Sequence, residues 1–469
     1  MKDELQFNAT DYRAEDGGVL DAWADLYGAN WLFVTGYECW YFWNGTHWQK
    51  DEGRALQRQV QQLLDAMNQA ARVELAAAKD AQDKDAVSML KCYVGATKRS
   101  KARVASIIGM AEALRAVPAE MLDSGNVLNL QNGLLDLNTF ELRPHSPTDY
   151  QTYVLGYPYD PKATAKRFEQ YLLEVLINEA TGQSDTELCI LTQELMGYSL
   201  TNETLHEVMS WLSGEGGNGK TVLITVIQWL LGPLCCSVDF QSIGLPGNYD
   251  IAEIQGKRVI FSTESERGGR MAEGYIKRIV SGERINARAI YGKPFEFKST
   301  AKIWWAMNDR PIVKDTGNAI WRRLKLIPFN RTFSEHEKDV NLLPTLESEL
   351  SGILNFALDG LRRLRQRGRL PESAAVTAAI SEYKQESNPV AQWVEDETTT
   401  IAGTLTASNG TLQSNLYLSY SAWCNRNGRQ ELNSTNFGKE LKRLRIGHRK
   451  VNVGMVYALV LNSEPGFRA

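Results

Sequence analysis

The sequence of 469 residues has no long uninterrupted apolar run, its longest such stretches being too short or too broken to span a bilayer. Its opening residues, MKDELQFNATDYRAED, are polar and acidic, so no signal peptide is expected. The Lys-Asp-Glu-Leu string there carries no retention meaning, because that signal is read at a C-terminus. Cysteine is sparse: Cys39, Cys92, Cys189, Cys235, Cys236 and Cys424 show no C-x-x-C spacing and no neighbouring histidines. That pattern argues against a disulfide frame or zinc site and for reduced cytoplasmic thiols. Neither sign of charge dominates, with 52 basic and 56 acidic residues and a net charge of −4. Global charge therefore points to no partner, and only local clusters can. Repeats and low-complexity tracts are absent. What is there is globular, with 43% hydrophobic and 23% charged residues and length enough for about two to four domains.

The informative stretch is 207–232, EVMSWLSGEGGNGKTVLITVIQWLLG. A short apolar strand pattern (Val208, Met209, Trp211, Leu212) meets a glycine-rich turn, and an apolar helical segment follows. The turn runs Gly214, Glu215, Gly216, Gly217, Asn218, Gly219, Lys220, Thr221, a complete G-x-x-x-x-G-K-[ST] phosphate loop. Glycines let successive N–H groups curl around a triphosphate, and the new helix aims its positive end at the same anion. Lys220 is placed to reach the β- and γ-phosphates, and the Thr221 hydroxyl to take one Mg²⁺ position. Binding of a nucleoside triphosphate is the expectation.

Upstream, residues 31–49 alternate aromatic and polar side chains around Gly36 and Asn44-Gly45, which reads as a small β-hairpin unit. Its aromatics could stack on bases, but at this spacing they read first as the core of a small sheet. Residues 54–82 are helical, with Leu56, Val60, Leu63, Leu64 and Met67 on one face. Lys98, Arg99, Lys101 and Arg103 read as a solvated basic face. Residues 126–147 suggest two short strands with turns at Asn132-Gly133 and Asn138-Thr139, and 165–200 read as helices. Near residue 200 the pattern turns to α/β alternation, so a boundary is expected there.

Beyond the loop, Cys235–Phe240 suggests a second strand, and Lys257 to Glu264 a better one, with Glu264 and Glu266 just past its end. In a doubly wound sheet that edge holds the ligands, and a carboxylate there can hold Mg²⁺ or orient the attacking water. Ala301 to Asn308 is a third strand ending in an amide. Arg322 and Arg323 then precede a strand over Leu324 to Phe329.

Together these elements resemble superfamily 3 helicases of the phage and plasmid primase–helicase type, related to the poxvirus primase–helicase, over roughly residues 30–460. Gly214–Thr221 is similar to Walker A, and Ser262–Glu266 to that family's Walker B. Ile276-Lys277 through Glu283 and on to Phe297 resembles its intervening motif, Ala306–Pro311 its asparagine-containing sensor and Ile320–Leu324 its arginine finger. Asn132–Leu137 and Gly197–Leu200 resemble its N-terminal companion region. Ser281-Gly282-Glu283 stands where many relatives have Gly-Gly-Asp, and the acids are spaced Glu-x-Glu. Larger relatives carry a further N-terminal primase domain, for which 469 residues leave little room, so priming activity is not expected.

The resemblance implies an α/β fold: an AAA+ core with a parallel five-stranded sheet at 201–370, after an α+β companion domain at 1–200. A winged-helix-like DNA-binding domain would follow at 371–469. It implies ATP and Mg²⁺ as cofactors, with Thr221 and Glu264 at the metal. Lys220, Glu264, Glu266, Asn308, Arg322 and Arg323 would carry the catalysis. A ring, usually hexameric, would bring an arginine to a neighbour's γ-phosphate, a contribution worth about 10³–10⁵ in rate in well-studied NTPases. Residues 284–298 then read as a hairpin projecting into a central channel, where Arg288, Tyr291 and Lys293, with Lys277 nearby, would meet single-stranded DNA.

At the other end, 423–450 hold eight lysines and arginines against Glu431 and Glu440, a net of +6. Lys439, Lys442, Arg443 and Arg445 lie on or just beyond a helix starting at Ser434, and 449–461 alternate like a β-wing. A recognition helix on duplex DNA is the expectation. The function expected is an ATP-dependent replicative DNA helicase of a phage, prophage or plasmid-like element, in the host cytoplasm, away from membranes and with a separate primase or polymerase as a further partner. The rivals are an initiator or loader ATPase without processive unwinding, and a small-molecule P-loop kinase. The kinase gives no account of the arginines or the basic C-terminus.

Overall fold

The computed structural model describes residues 11–240, 243, 249–262, 271–288, 292–311, 313, 318–401, 405–406 and 409–462. The N-terminal part opens with α1 (Asp16–Leu26), then β1 (Trp31–Val34), β2 (Cys39–Trp43) and β3 (Trp48–Lys50). Helices α2 (Ala55–Asp80), α3 (Lys84–Ala96) and α4 (Lys101–Leu114) follow, and β4 (Ala116–Val117) joins β1 in the order β3-β2-β1-β4. The expected hairpin is thus a four-stranded sheet. Its aromatics build a core: Trp40 meets Trp23 and Trp31 edge to face with ring centres 6.1 and 6.2 Å apart, and Trp43 packs on Trp48 at 5.6 Å. The apolar stripe of α2 (Leu56, Val60, Leu63, Leu64, Met67) is buried as its helical spacing requires.

A three-stranded meander follows, β5 (Val127–Leu130), β6 (Gly133–Asp136) and β7 (Leu142–Arg143), one strand more than the turn signals indicated. Helices α5 (Lys166–Val175) and α6 (Thr186–Ser199) lead to the central sheet. This sheet takes β8 (Met209–Ser213), β9 (Cys235–Ser237), β10 (Val259–Ser262), β13 (Lys302–Met307) and β14 (Leu324–Pro328), with α7 (Lys220–Leu231) and α8 (Asp250–Glu253) between its early strands. All five strands are parallel, in the order β14-β8-β13-β10-β9, as expected for the α/β core. Between β10 and β13 lie α9 (Glu273–Val280) and a separate antiparallel hairpin, β11 (Arg284–Arg288) with β12 (Pro294–Lys298). The short α10 (Asn318–Trp321) precedes β14.

Parallel strands buried on both faces read as unbroken apolar runs, and β13 (KIWWAM) shows why. Trp304 and Ala306 join one core with α5, α6, α7 and α12 (Leu350–Arg367), which follows α11 (Leu342–Ser348). Ile303, Trp305 and Met307 join the other core, with α9, the hairpin and α13 (Ala374–Ser387). Helices α6 and α12 cross closely at two glycines: a Cβ on Gly360 would stand 2.3 Å from the Gln193 oxygen, and one on Gly197 2.3 Å from that of Ala357. Packing is therefore continuous across residue 200. Two buried cations reinforce that seam. The Arg258 guanidinium donates to the carbonyls of Leu200, Gly125 and Val127, and the Lys302 ammonium to those of Thr201 and Thr300.

Likewise α13 seals the sheet, and a separate core starts only at Val390. That unit holds α14 (Pro389–Glu397), β15 (Thr398–Thr400), β16 (Thr411–Leu412), α15 (Gln413–Arg426), α16 (Ser434–Arg443), β17 (His448–Val451), β18 (Gly454–Tyr457) and β19 (Leu459–Leu461). Strand β18 pairs with both β16 and β17, while β19 pairs with β15. No described helix is long and apolar enough to cross a membrane.

Candidate active site

The phosphate loop leaves β8 and closes onto α7. Gly219 stands at φ 94° as the cap of α7, and a Cβ there would press to 2.9 Å from Val175. At Gly214 a Cβ would fall 2.4 Å from both the Asn218 amide and the Phe329 oxygen, so neither position admits a side chain. Asn218 is buried and donates its amide to Phe329 O at 3.0 Å, while Tyr171 donates to Gly219 O at 2.8 Å. The loop is thereby held by the strand beside it and the helix behind it.

Beneath the arch lies Lys220. Its ammonium donates to the carbonyls of Gly214 at 2.6 Å and Glu215 at 2.8 Å, and to Asn218 Oδ1 at 3.1 Å. Burial brings its pKa down from the ordinary lysine range to about 8. These neutral acceptors hold the ammonium where an anion can take their place. Thr221 is exposed, and its hydroxyl has no bonding partner among the described residues. An outward, unengaged hydroxyl next to the loop is a suitable hard-oxygen ligand, so the donor set fits a Mg²⁺–nucleotide.

Asn308 follows β13 directly and is exposed, on the wall of a cleft of about 730 Å³ that includes Gly214 and Glu215. Strand β10 ends at Ser262 on the same edge; Glu264 and Glu266 lie outside the described residues. No cluster of three metal-ligating side chains occurs among the described residues.

The two arginines at the entry of β14 divide sharply. Arg323 is buried and donates to Glu207 at 2.6 Å, Ser281 Oγ at 3.1 Å and Ala319 O at 2.7 Å. The Arg322 side chain is 66% exposed, with Glu207 at the limit of ion-pair range, 4.0 Å. Both stand at the start of β14, whereas the loop lies at the far end of the sheet, about 16 Å along the strand at ~3.3 Å per residue.

In the hairpin, Arg288 Nε donates to Gly292 O at 3.0 Å, and Lys293 forms an exposed ion pair with Glu38 of the β1–β2 turn at 3.0 Å. Tyr291 lies outside the described residues. Lys277 is half-buried on α9, and Gly282 just beyond that helix takes φ 63° against Thr204. On and just beyond α16, Lys439, Lys442, Arg443 and Arg445 are exposed, with Arg443 Nη1 donating to the buried Glu440 at 2.5 Å. Two residues beside the loop were not among the expected site residues. Arg310 donates to Ser213 Oγ at 3.4 Å beside the loop, and adjacency to Asn308 was the signal for it. Arg429 lines the loop's cleft, though its sequence places it among the basic residues of the C-terminus.

A strand–glycine loop–helix on the edge of a five-stranded parallel sheet defines a P-loop α/β protein. Within that class the chain is D5-like. A D5 N-terminal-like family profile matches residues 21–177, a family of unknown function matches 212–323, and a poxvirus D5 protein-like profile matches 385–459. The resemblance to the poxvirus primase–helicase group thus holds at both ends. The chain is also 25% identical over 303 residues to the putative helicase L207/L206 of Acanthamoeba polyphaga mimivirus, covering 59% of this chain and 31% of that one. It is 25% identical over 239 residues to the putative helicase 184R of Invertebrate iridescent virus 6, covering 48% and 24%. The matches thus span a third or less of these relatives' own length. The apo A form of the NrS-1 C-terminal region aligns over 95% of this chain and 99% of its own, at 11% identity and a TM-score of 0.48.

Proposed function

We propose that this chain is an ATP-driven DNA helicase of superfamily 3, with an AAA+ core, serving the replication of a phage, prophage or plasmid-like element in its host's cytoplasm. The observation that carries the reading is the convergence of three parts on one edge of the sheet. They are the glycine arch, the Lys220 ammonium held by exchangeable carbonyls, and the exposed amide of Asn308 on the adjoining strand. Relatives whose names read putative helicase support it.

In this reading the β- and γ-phosphates of ATP take Lys220 from the carbonyls of Gly214 and Glu215. Thr221 would hold Mg²⁺, with Glu264 or Glu266 as the further acid, and the ion would supply charge neutralisation for phosphoryl transfer. Asn308 orients the attacking water or senses the γ-phosphate. Arg322 is the finger, because Arg323 is spent on Glu207 and Ser281. Its place at the opposite end of β14 from its own loop favours service to another subunit's site, hence a ring, a hexamer by the resemblance.

Single-stranded DNA in the channel would meet Lys277, Arg288, Tyr291 and Lys293. The helix–helix–wing order of α15, α16, β17 and β18 supports a winged helix with Lys439, Lys442, Arg443 and Arg445 on duplex phosphates. A separate primase or polymerase would supply synthesis.

A forked duplex with one labelled strand tests the proposal: ATP with the wild-type chain should release that strand, and Lys220→Ala should not. ATP hydrolysis with DNA binding but no release would favour the loader.

A further inference from the structure

The turn that enters β8 meets both the entry of β14 and the root of the hairpin. Glu207 lies two residues before β8 and takes φ 46°, a left-handed backbone that residues other than glycine rarely adopt. Such a conformation persists only where the surrounding structure over-determines it, and here it sets where the carboxylate points. That carboxylate stands between two guanidiniums: Oε2 accepts from Arg323 Nη2 at 2.6 Å and lies 4.0 Å from Arg322 Nη2. Only Arg323 is held. Its Nη2 also donates to Ser281 Oγ at 3.1 Å and its Nη1 to Ala319 O at 2.7 Å, while its buried Nε has no partner among the described residues. The main chain is fixed at the same point, since Met209 N donates to Arg323 O at 2.8 Å. Ser281 and Gly282 lie between α9 and β11, so the hairpin's root touches this junction twice. One contact is the Ser281 bond; the other is at Gly282, where a Cβ would fall 2.5 Å from Thr204 Oγ1.

We infer that Glu207 is a positioning residue for the arginine finger: by anchoring Arg323 it fixes the chain at Arg322 and leaves one uncommitted guanidinium for a neighbouring subunit's γ-phosphate. This rests on the reading of Arg322 as the finger. Without the carboxylate, two like charges would lie side by side at the entry of β14, and Arg323 would be free to swing out beside Arg322. The two contacts differ in strength as the role requires. The charge-assisted bond at 2.6 Å holds Arg323 firmly, whereas the exposed contact at 4.0 Å is weak and screened by salt. Glu207 therefore keeps Arg322 nearby without withholding it from a phosphate. It stands at the opposite end of β8 from its own phosphate loop, so its effect falls on another subunit's site. Because Ser281 shares the Arg323 guanidinium, the same anchor ties the finger to the segment that enters the hairpin.

The test measures ATP turnover by wild type, Glu207→Gln, Ser281→Ala and Arg322→Ala, each alone and mixed with Lys220→Ala subunits. Glutamine keeps an acceptor for Arg323 and removes the charge. Glu207→Gln alone should lower kcat about tenfold, the scale of one charge-assisted hydrogen bond, and change KM for ATP less than about twofold, because its own loop is untouched. Ser281→Ala removes the longer bond to the same guanidinium and should lower kcat about threefold. Mixing with Lys220→Ala should raise the turnover of Glu207→Gln per intact loop, since some interfaces then pair its loop with an unaltered finger. A variant damaged in its own site gains nothing from such neighbours. Arg322→Ala mixed with Lys220→Ala is the reference. If that mixture recovers while Glu207→Gln turns over at the wild-type rate, or gains nothing on mixing, the assignment falls and the finger reading stands. If Arg322→Ala is unimpaired, or shows no recovery in assembled mixtures, the finger reading falls and this inference with it. Should Glu207→Gln fail to assemble, Ser281→Ala decides by the same two measures.

Discussion

The side-chain amide of Asn218 donates to the main-chain oxygen of Phe329 at 3.0 Å, fastening the phosphate loop to the exit of the neighbouring strand. The other end of the same amide accepts from the Lys220 ammonium at 3.1 Å. One buried side chain thus sets the position of both the arch and the cation beneath it.

Asn218→Ala should therefore loosen the loop more than its size suggests. It leaves Phe329 O without its donor and Lys220 short of an acceptor, at a cost of about 1–3 kcal/mol. A lower melting temperature together with weaker triphosphate binding is expected. A drop in stability with wild-type affinity would show that the clamp does not position Lys220.

Proton linkage gives a second expectation. The Lys220 pKa is about 8 in the absence of an anion. Phosphate oxygens favour the charged ammonium, so binding raises that value and takes up a proton wherever the loop lysine is neutral beforehand. Affinity should be flat below pH 8 and fall above it, by at most tenfold per pH unit. Calorimetry at pH 8.5 in two buffers of different ionisation enthalpy measures the uptake directly; no uptake would place the phosphates away from Lys220.

Arg322→Ala and Arg323→Ala should fail in different ways. Removing Arg323 leaves Glu207 and Ser281 without their buried donor and should lower stability by about 1–3 kcal/mol. Removing the exposed Arg322 should leave the melting temperature unchanged and abolish turnover. Mixing Arg322→Ala with Lys220→Ala subunits should restore part of it, because some interfaces then pair an intact loop with an intact finger. No recovery, with both variants assembled, would contradict action between subunits.

Much of this arrangement was legible because its chemistry is local. A glycine loop between an apolar strand and an apolar helix specifies itself within 26 residues. Strands β10 and β13 read as largely apolar runs, because both of their faces are covered. What stayed hidden depends on pairs distant in sequence. Asn218 and Phe329 are 111 residues apart, so the clamp leaves no periodic trace. Arg322 and Arg323 are adjacent and identical in type; only Glu207 and Ser281, brought in by the fold, separate the buried one from the exposed one. Pro371 looks like a domain break, yet α13 beyond it seals the sheet, since Tyr383 donates to Pro311 O and packs 5.2 Å from Trp321. Arg429 lies in a basic stretch of sequence and in the cleft of the structure.

Close helix crossing makes Gly360 a test of the fold apart from the chemistry. Gly360→Ala places a methyl 2.3 Å from the Gln193 oxygen and should cost about 1–3 kcal/mol through overpacking of α6 against α12. Thermal unfolding measures it, and unchanged stability would mean that the two helices are not held this closely.

The basic helix is tested by salt. Arg443 is paired with Glu440, so a carboxylate at position 443 would repel its own helix. Lys439→Glu with Lys442→Glu is the cleaner double variant. If both lysines meet phosphates, duplex affinity should fall and the slope of log K against log salt should flatten by about 0.9 for each phosphate no longer neutralised. Unchanged slope and affinity would assign α16 to protein contacts.

The central claim is that the loop at Gly214–Thr221 powers work on DNA. The most direct measurement is the rate of ATP hydrolysis by the wild-type chain and by Lys220→Ala, each with and without single-stranded DNA. Wild type should turn over ATP faster when single-stranded DNA is present, and Lys220→Ala should stay at background in both conditions. Lys220→Ala hydrolysing ATP at the wild-type rate, or wild-type turnover indifferent to DNA, would contradict the claim.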